Sequence, residues 1–145
     1  MVMQPHLDVV RPGDVVDVTV LILDALDAVS TPFKLRFDAE SMEFVEGTQG
    51  AFLTKGDAPV AFLAGVDRQQ PGELTVGLSL LGVTEGVSGD GELCRLRFRI
   101  LAGAGPGRDY LTLVPFANQI FAPGLREMPS DFRPLNLRYR EQGDR

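Results

Sequence analysis

Apolar and polar side chains alternate along most of this chain, and no stretch sustains a helical recurrence. Val15, Val16, Val18, Val20 and Ile22 form a β-branched run after the turn Arg11-Pro12-Gly13-Asp14. Phe33, Leu35 and Phe37 then alternate with Lys34, Arg36 and Asp38. Residues 42–45 read as a strand and residues 46–57 as a loop carrying Gly47, Gly50 and Gly56, with room for one helical turn over 46–53. A continuous apolar run covers 60–66, Pro71-Gly72 reads as a turn, and Leu74, Val76, Leu78 and Leu80 alternate with Thr75, Gly77 and Ser79.

After a glycine loop at 86–91 comes the clearest alternation: Cys94, Leu96, Phe98 and Ile100 on one side, Arg95, Arg97 and Arg99 on the other. Residues 103–107 break the chain, 110–114 resume it, and 134–140 close it with Leu135, Leu137 and Tyr139 opposite Asn136, Arg138 and Arg140. Many short strands punctuated by Gly and Pro predict an all-β sandwich of about nine strands in two packed antiparallel sheets. No linker or internal repeat marks a boundary, so residues 1–145 are expected to form one domain.

Composition narrows the function. A chain of 145 residues with mean hydropathy +0.05 is long enough to bury a core. Its net charge of −6 disfavours a nucleic-acid partner, because phosphate contacts need a basic footprint. The lone Cys94 excludes a disulfide framework and a cysteine-based zinc cluster, and the lone His6 removes most metal and general-base chemistry. No apolar run is long enough to span a membrane, and residues 1–5 lack the pattern of a signal peptide. The expectation is therefore either a cytosolic chain or a module of a larger exported protein.

Several segments, in order, resemble cohesin domains. They are the Pro12-Gly13-Asp14 turn before the valine-rich strand, Phe33-Lys34-Leu35-Arg36-Phe37-Asp38 followed by Met42-Glu43-Phe44-Val45, the Gly89-Asp90-Gly91 turn into Glu92–Phe98, and Phe116-Ala117-Asn118 before a last strand. The stretch Phe44-Val45-Glu46-Gly47 leading to Phe52-Leu53, with Gly86-Val87-Ser88-Gly89, is similar to cohesin-like modules attached to bacterial secretion-channel and pilus proteins. The resemblance implies a nine-stranded jelly-roll sandwich, related in architecture to carbohydrate-binding modules, whose eighth, third, sixth and fifth strands form one sheet. It takes Gly89–Phe98 as the entry to the eighth strand. It also implies a non-catalytic, extracytoplasmic module that docks a dockerin on the outer face of that sheet, the calcium belonging to the dockerin.

If Phe33, Leu35, Phe37, Leu96, Phe98 and Ile100 point inward, Lys34, Arg36, Arg95, Arg97 and Arg99 point outward. On neighbouring strands, as the resemblance implies, they would make a basic face suited to an acidic partner surface. The same cations fit a solvated face neutralised by nearby acids such as Glu73 or Glu92. Thr75 and Ser79, with Gly77 between them, would form a flat floor for a partner helix, and an apolar anchor is expected from the 60–66 run, at Phe62 or Leu63. The expected partner-binding set is therefore Lys34, Arg36, Phe62, Thr75, Ser79, Arg95, Arg97 and Arg99.

Other motifs read as structure. Gly103–Gly107 lacks the lysine and following helix of a phosphate loop. Asp24 and Asp27 fit a solvated turn better than a calcium site, and residues 88–92 fit a hairpin turn. His6 belongs near the first strand, and Cys94 falls on an inward phase, so neither suits catalysis. No catalytic group, metal or cofactor is expected. Two other functions remain open: a structural module of a secretion or pilus system that self-assembles through an exposed edge strand, and a carbohydrate-binding module, which the absence of Trp disfavours.

Overall fold

In the computed structural model, which describes residues 1–55, 58–82, 85–102, 110–124 and 126–140, the alternation predicted at Val15 and at Cys94 becomes the two longest strands. In chain order the described strands are β1 (Val2–Pro5), β2 (Val9–Val10), β3 (Val15–Ala28), β4 (Phe33–Arg36), β5 (Met42–Gln49), β6 (Val60–Asp67), β7 (Gln70–Leu80), β8 (Val87–Ile100), β9 (Tyr110–Phe116), β10 (Ile120–Ala122), β11 (Arg126–Met128) and β12 (Leu135–Tyr139).

They build a four-stranded sheet in the order β1-β3-β8-β5, a six-stranded sheet in the order β2-β12-β9-β4-β7-β6, and a small β10-β11 ladder. Every pairing is antiparallel except β2 with β12. The β3–β8 sheet turns Val16, Val18, Val20, Ile22, Leu96, Phe98 and Ile100 inward. The β4–β7 sheet answers with Phe33, Leu35, Leu74, Val76, Leu78, Leu111, Leu113 and Leu137, all buried in one continuous core. Phe98 sits edge-to-face against Phe37 and Phe44, at centroid distances of 5.4 and 5.7 Å.

The structure moves several expected turns. Pro71 and Gly72 lie inside β7, and the hairpin turns instead at Arg68-Gln69, where Asp67 Oδ1 accepts the Gln69 N–H at 2.9 Å. Gly72 is needed for close approach rather than for turning, since a Cβ there would lie 2.5 Å from the Phe37 carbonyl oxygen. The helical turn expected over 46–53 appears later, at Leu53–Lys55, because Glu46–Gln49 continue β5.

The 86–91 segment is not a hairpin loop. From Val87 onward it extends β8 along the far half of β3, with Ala25 opposite Gly89 and Ala28 opposite Val87. Asp24 and Asp27 interrupt β3 as left-handed residues, φ 55° and 58°, where the register shifts. Their N–H groups are satisfied by Asp90 Oδ1 at 2.6 Å and Ser88 Oγ at 2.9 Å, and the Asp27 carboxylate accepts the Gly86 N–H. Both aspartates are thus part of a bulged strand rather than a solvated turn. Gly103–Gly107 lie outside the described residues.

Candidate docking face

The five outward cations do not share a surface. Lys34 and Arg36 stand on β4, in the sheet with β7 and β9, whereas Arg95, Arg97 and Arg99 stand on β8, whose neighbours are β3 and β5. If β1 and β2 are counted as halves of one first strand and the β10-β11 ladder is set aside, the run β9-β4-β7-β6 is the eighth-third-sixth-fifth order that the resemblance implies. The arginine strand is then the seventh, not the eighth. Both strands carry the same alternation, and alternation says which side chains are buried without saying which sheet a strand joins.

On the β3–β8 sheet the arginines meet acids. Arg99 Nη1 lies 3.0 Å from Glu43 Oε1, Arg97 bonds Asp17 and Glu46 at 2.9 Å each, and Arg95 Nη2 lies 3.3 Å from Glu92 Oε1. The Arg97 hydrogen bond is the main cause holding the Asp17 carboxyl below its usual range. The sequence offered a signal for this pairing: Asp17 alternates with the buried valines of β3, and Glu43 and Glu46 flank Phe44 on β5. Each arginine on that face is paired with at least one acid, the pair through Glu92 among those expected.

The outer face of β6, β7, β4 and β9 is different. Cross-strand register sets Gly65, Thr75, Lys34 and Phe116 in one row and Glu73, Arg36 and Val114 in the next. Leu63 stands opposite Gly77, and Ala61 opposite Ser79. Thr75 and Ser79 point outward with Gly77 between them, as predicted, and the Ser79 hydroxyl is tied to Ser30 Oγ at 2.8 Å. The guanidinium of Arg36 lies 4.4 Å over the Phe116 ring and 3.4 Å from Glu73 Oε1, which fixes its position at the rim of the glycine floor.

Phe62 is a correction. It faces inward, half-buried against the core, and its ring crowds the space above Gly47. The outward member is Leu63, 63% exposed, because Val60, Phe62, Ala64 and Val66 together take the inward phase of β6. Tyr110, Val114 and Phe116 also stand on the outward phase of β9, as their alternation with the buried Leu111 and Leu113 implies. Along these rows and the adjoining Arg138 of β12, Lys34, Arg36 and Arg138 stand against Glu73 and, at the end of β6, Asp67. Cations slightly outnumber acids there, on a chain of net charge −6.

The lone Cys94 and His6 both belong to the other sheet. Burial pushes the Cys94 thiol up to about 12, with Glu92 adding to the shift, so the thiolate is scarce. His6 Nδ1 accepts the Asp17 N–H at 2.8 Å and continues the β1–β3 ladder. Among the described residues no three His, Cys, Asp or Glu side chains gather as metal ligands, and no helix is long and apolar enough to cross a membrane.

Comparison with known proteins agrees with this geometry. Among solved structures, a non-cellulosomal cohesin from the hyperthermophilic archaeon Archaeoglobus fulgidus superposes with a TM-score of 0.74 at 20% identity, over 98% of this chain and 91% of that one. The second type II cohesin module of the adaptor ScaA scaffoldin from Acetivibrio cellulolyticus gives 0.75 at 14% identity, covering 94% of each chain. A type I cohesin–dockerin complex from Clostridium thermocellum gives 0.74 at 14% identity, over 97% and 92%. A search of curated proteins finds no match. The family profile described as Cohesin domain matches residues 5–120, and the chain belongs to the cohesin domain family, whose members are non-catalytic protein–protein interaction modules.

Proposed function

We propose that this chain is a non-catalytic recognition module that docks a calcium-loaded, dockerin-type partner on the outer face of β9-β4-β7-β6. The observation that carries this reading is the shape and charge of that face. A floor of Gly65, Gly77, Thr75 and Ser79 lies open between Leu63 on one side and the Arg36–Phe116 pair on the other, with Lys34 bordering it between Thr75 and Phe116. Small residues admit a helix backbone closely, Leu63 offers an apolar anchor, and Lys34 and Arg36 suit acidic side chains on the partner. A relative solved as a cohesin–dockerin complex supports the partner class. Lys34, Arg36, Thr75, Ser79 and Leu63 therefore form the proposed site, and Arg95, Arg97 and Arg99 leave it. The proposed setting is extracytoplasmic, within a larger chain.

The test is calorimetric titration with dockerin-like segments from the same genome, with and without calcium. Saturable, calcium-dependent binding is expected for the wild type and for Arg95→Glu/Arg97→Glu, with a loss of roughly tenfold or more in Lys34→Glu/Arg36→Glu. Loss in the β8 variant alone, or no binding by any segment, overturns the reading.

A second reading, a structural subunit of a bacterial secretion or pilus assembly, is favoured by one observation, the bare edge of β6. Carbohydrate binding has less support: of the outward rings on β9, Tyr110 is open but Phe116 is covered by Arg36, leaving no bare pair for stacking a sugar.

A further inference from the structure

Two sheets present four edges, and three of them are blunted. β1 is short, ends at Pro5, and has the chain's amino group bonded to the Asp131 carbonyl oxygen beside it. β2 is only Val9–Val10. β5 carries Glu43 and Glu46 and a register shift between Phe44 and Glu46. Charges, proline, bulges and shortness are the usual devices that keep sheet edges from pairing. β6 keeps such devices to its ends, Pro59 just before it and Asp67 with a register shift at its last residue. Its sequence, Val-Ala-Phe-Leu-Ala-Gly-Val-Asp, is uncharged up to Asp67, and its register against β7 is unbroken up to the same residue. Among the described residues, backbone groups of β6 bond only to β7, so alternate N–H and C=O groups along its outer edge are unpaired.

We infer that this edge pairs with β6 of a second copy of the chain, in a two-fold antiparallel ladder centred on Leu63. The inference rests on the edge reading above and is independent of the dockerin reading. The strand is self-complementary in that register. Val60 would face Val66, Ala61 would face Gly65, Phe62 would face Ala64, and Leu63 would face its own copy. Asp67 would fall opposite Pro59, so no like charges oppose each other. Leu63, 63% exposed in the single chain, would find an apolar neighbour on the outer face, with Ala61 and Gly65 leaving room for both leucines. A second copy fits better than a charged peptide, because Val60–Val66 offers no charge to select one. Pairing joins the two β4–β7 sheets side by side and leaves both glycine floors open on the same side.

Sedimentation velocity of the chain alone, over a wide concentration range, tests this. A reversible monomer–dimer equilibrium is expected, with the dissociation constant raised roughly tenfold or more by Leu63→Lys and by Ala61→Lys, two exposed positions where lysine leaves the fold intact by circular dichroism. Under mild oxidation Leu63→Cys should cross-link as a dimer, since directly opposed Cβ atoms lie about 4.5–5.5 Å apart, a small backbone adjustment from the roughly 3.5–4.5 Å a disulfide spans, and Leu81→Cys, also exposed, should not. A wild type that stays monomeric throughout, a dimer that survives both lysine variants, or equal cross-linking at Leu81 overturns the inference. A monomer that still binds dockerin would sink this pairing alone, and a dimer that binds none would sink only the docking function.

Discussion

Arg97 Nε donates to Asp17 Oδ1 at 2.9 Å across the β3–β8 ladder, while its Nη1 reaches Glu46 Oε1 on β5, also at 2.9 Å. One guanidinium therefore ties three strands together on the solvent side of their sheet. The bond lowers the Asp17 carboxyl below its ordinary value of 3.8 and raises Arg97 in turn. Both side chains remain partly open to water, so solvent screening keeps the contribution small.

The sign of its pH dependence follows. A carboxyl whose folded pKa is depressed adds stability that is present above its unfolded value of 3.8 and is lost as pH falls from there through the lowered folded value. Asp17→Asn is expected to cost less than about 1 kcal/mol at neutral pH and to flatten the acid limb of stability below about pH 4. Denaturant titrations of both proteins between pH 2 and 7 read this directly. An unchanged acid limb would mean that the bond does not persist in solution.

The sandwich and its inward residues were legible because burial follows the two-residue period of a strand, as at Phe33 and Leu35 or Leu96 and Phe98. Sheet membership was not legible, because β4 and β8 show the same period and differ only in their neighbours. The ion pairs of the β8 arginines with Asp17, Glu43 and Glu46 were not legible either, because those acids come from strands far apart in sequence. The run Val60–Val66 is apolar at every position except glycine, so its period gives no phase and does not show that Leu63 rather than Phe62 faces out. Local irregularities also hid: Leu93 and Cys94 are both fully buried because β8 slips one residue against β3 between Glu92 and Cys94.

Phe62 and Leu63 should separate stability from recognition. Phe62→Ala removes a half-buried ring packed on the core and is expected to cost about 2 kcal/mol. Leu63→Ala should change stability by no more than about 0.5 kcal/mol yet weaken dockerin binding, measured at a concentration where the chain is monomeric. Thermal melts paired with calorimetry check both halves. Equal destabilisation by the two substitutions would contradict the sidedness of β6.

Gly50 marks the bulge of β8 from the other side. Its N–H donates to the Leu93 carbonyl at 2.8 Å, and a Cβ on it would lie 2.3 Å from the Glu92 carbonyl oxygen. Because the obstacle is backbone, which also accepts the Phe52 N–H at 2.9 Å, it cannot swing aside as a side-chain tip would. Gly50→Ala is expected to destabilise by about 1–3 kcal/mol, whereas alanine at Gly77, where a Cβ meets nothing within 4 Å, should be well tolerated. The two chemical-denaturation midpoints give the comparison.

Thr31 is fully buried, and its Oγ1 has no hydrogen-bond partner, while its N–H is satisfied by the Leu78 carbonyl at 2.9 Å. An unsatisfied buried hydroxyl costs about 1–3 kcal/mol of desolvation without a compensating bond. Valine has nearly the same shape and replaces that hydroxyl with a methyl group. Thr31→Val is therefore expected to stabilise the chain by about 1 kcal/mol, while Thr31→Ser keeps the orphaned hydroxyl, deletes a packed methyl group, and should destabilise it by a similar amount. Opposite shifts of the two melting temperatures would establish that the hydroxyl is a defect in the packing. A loss of stability in Thr31→Val would instead show that Oγ1 has a partner in solution, and a water held between it and the neighbouring backbone would be the first place to look.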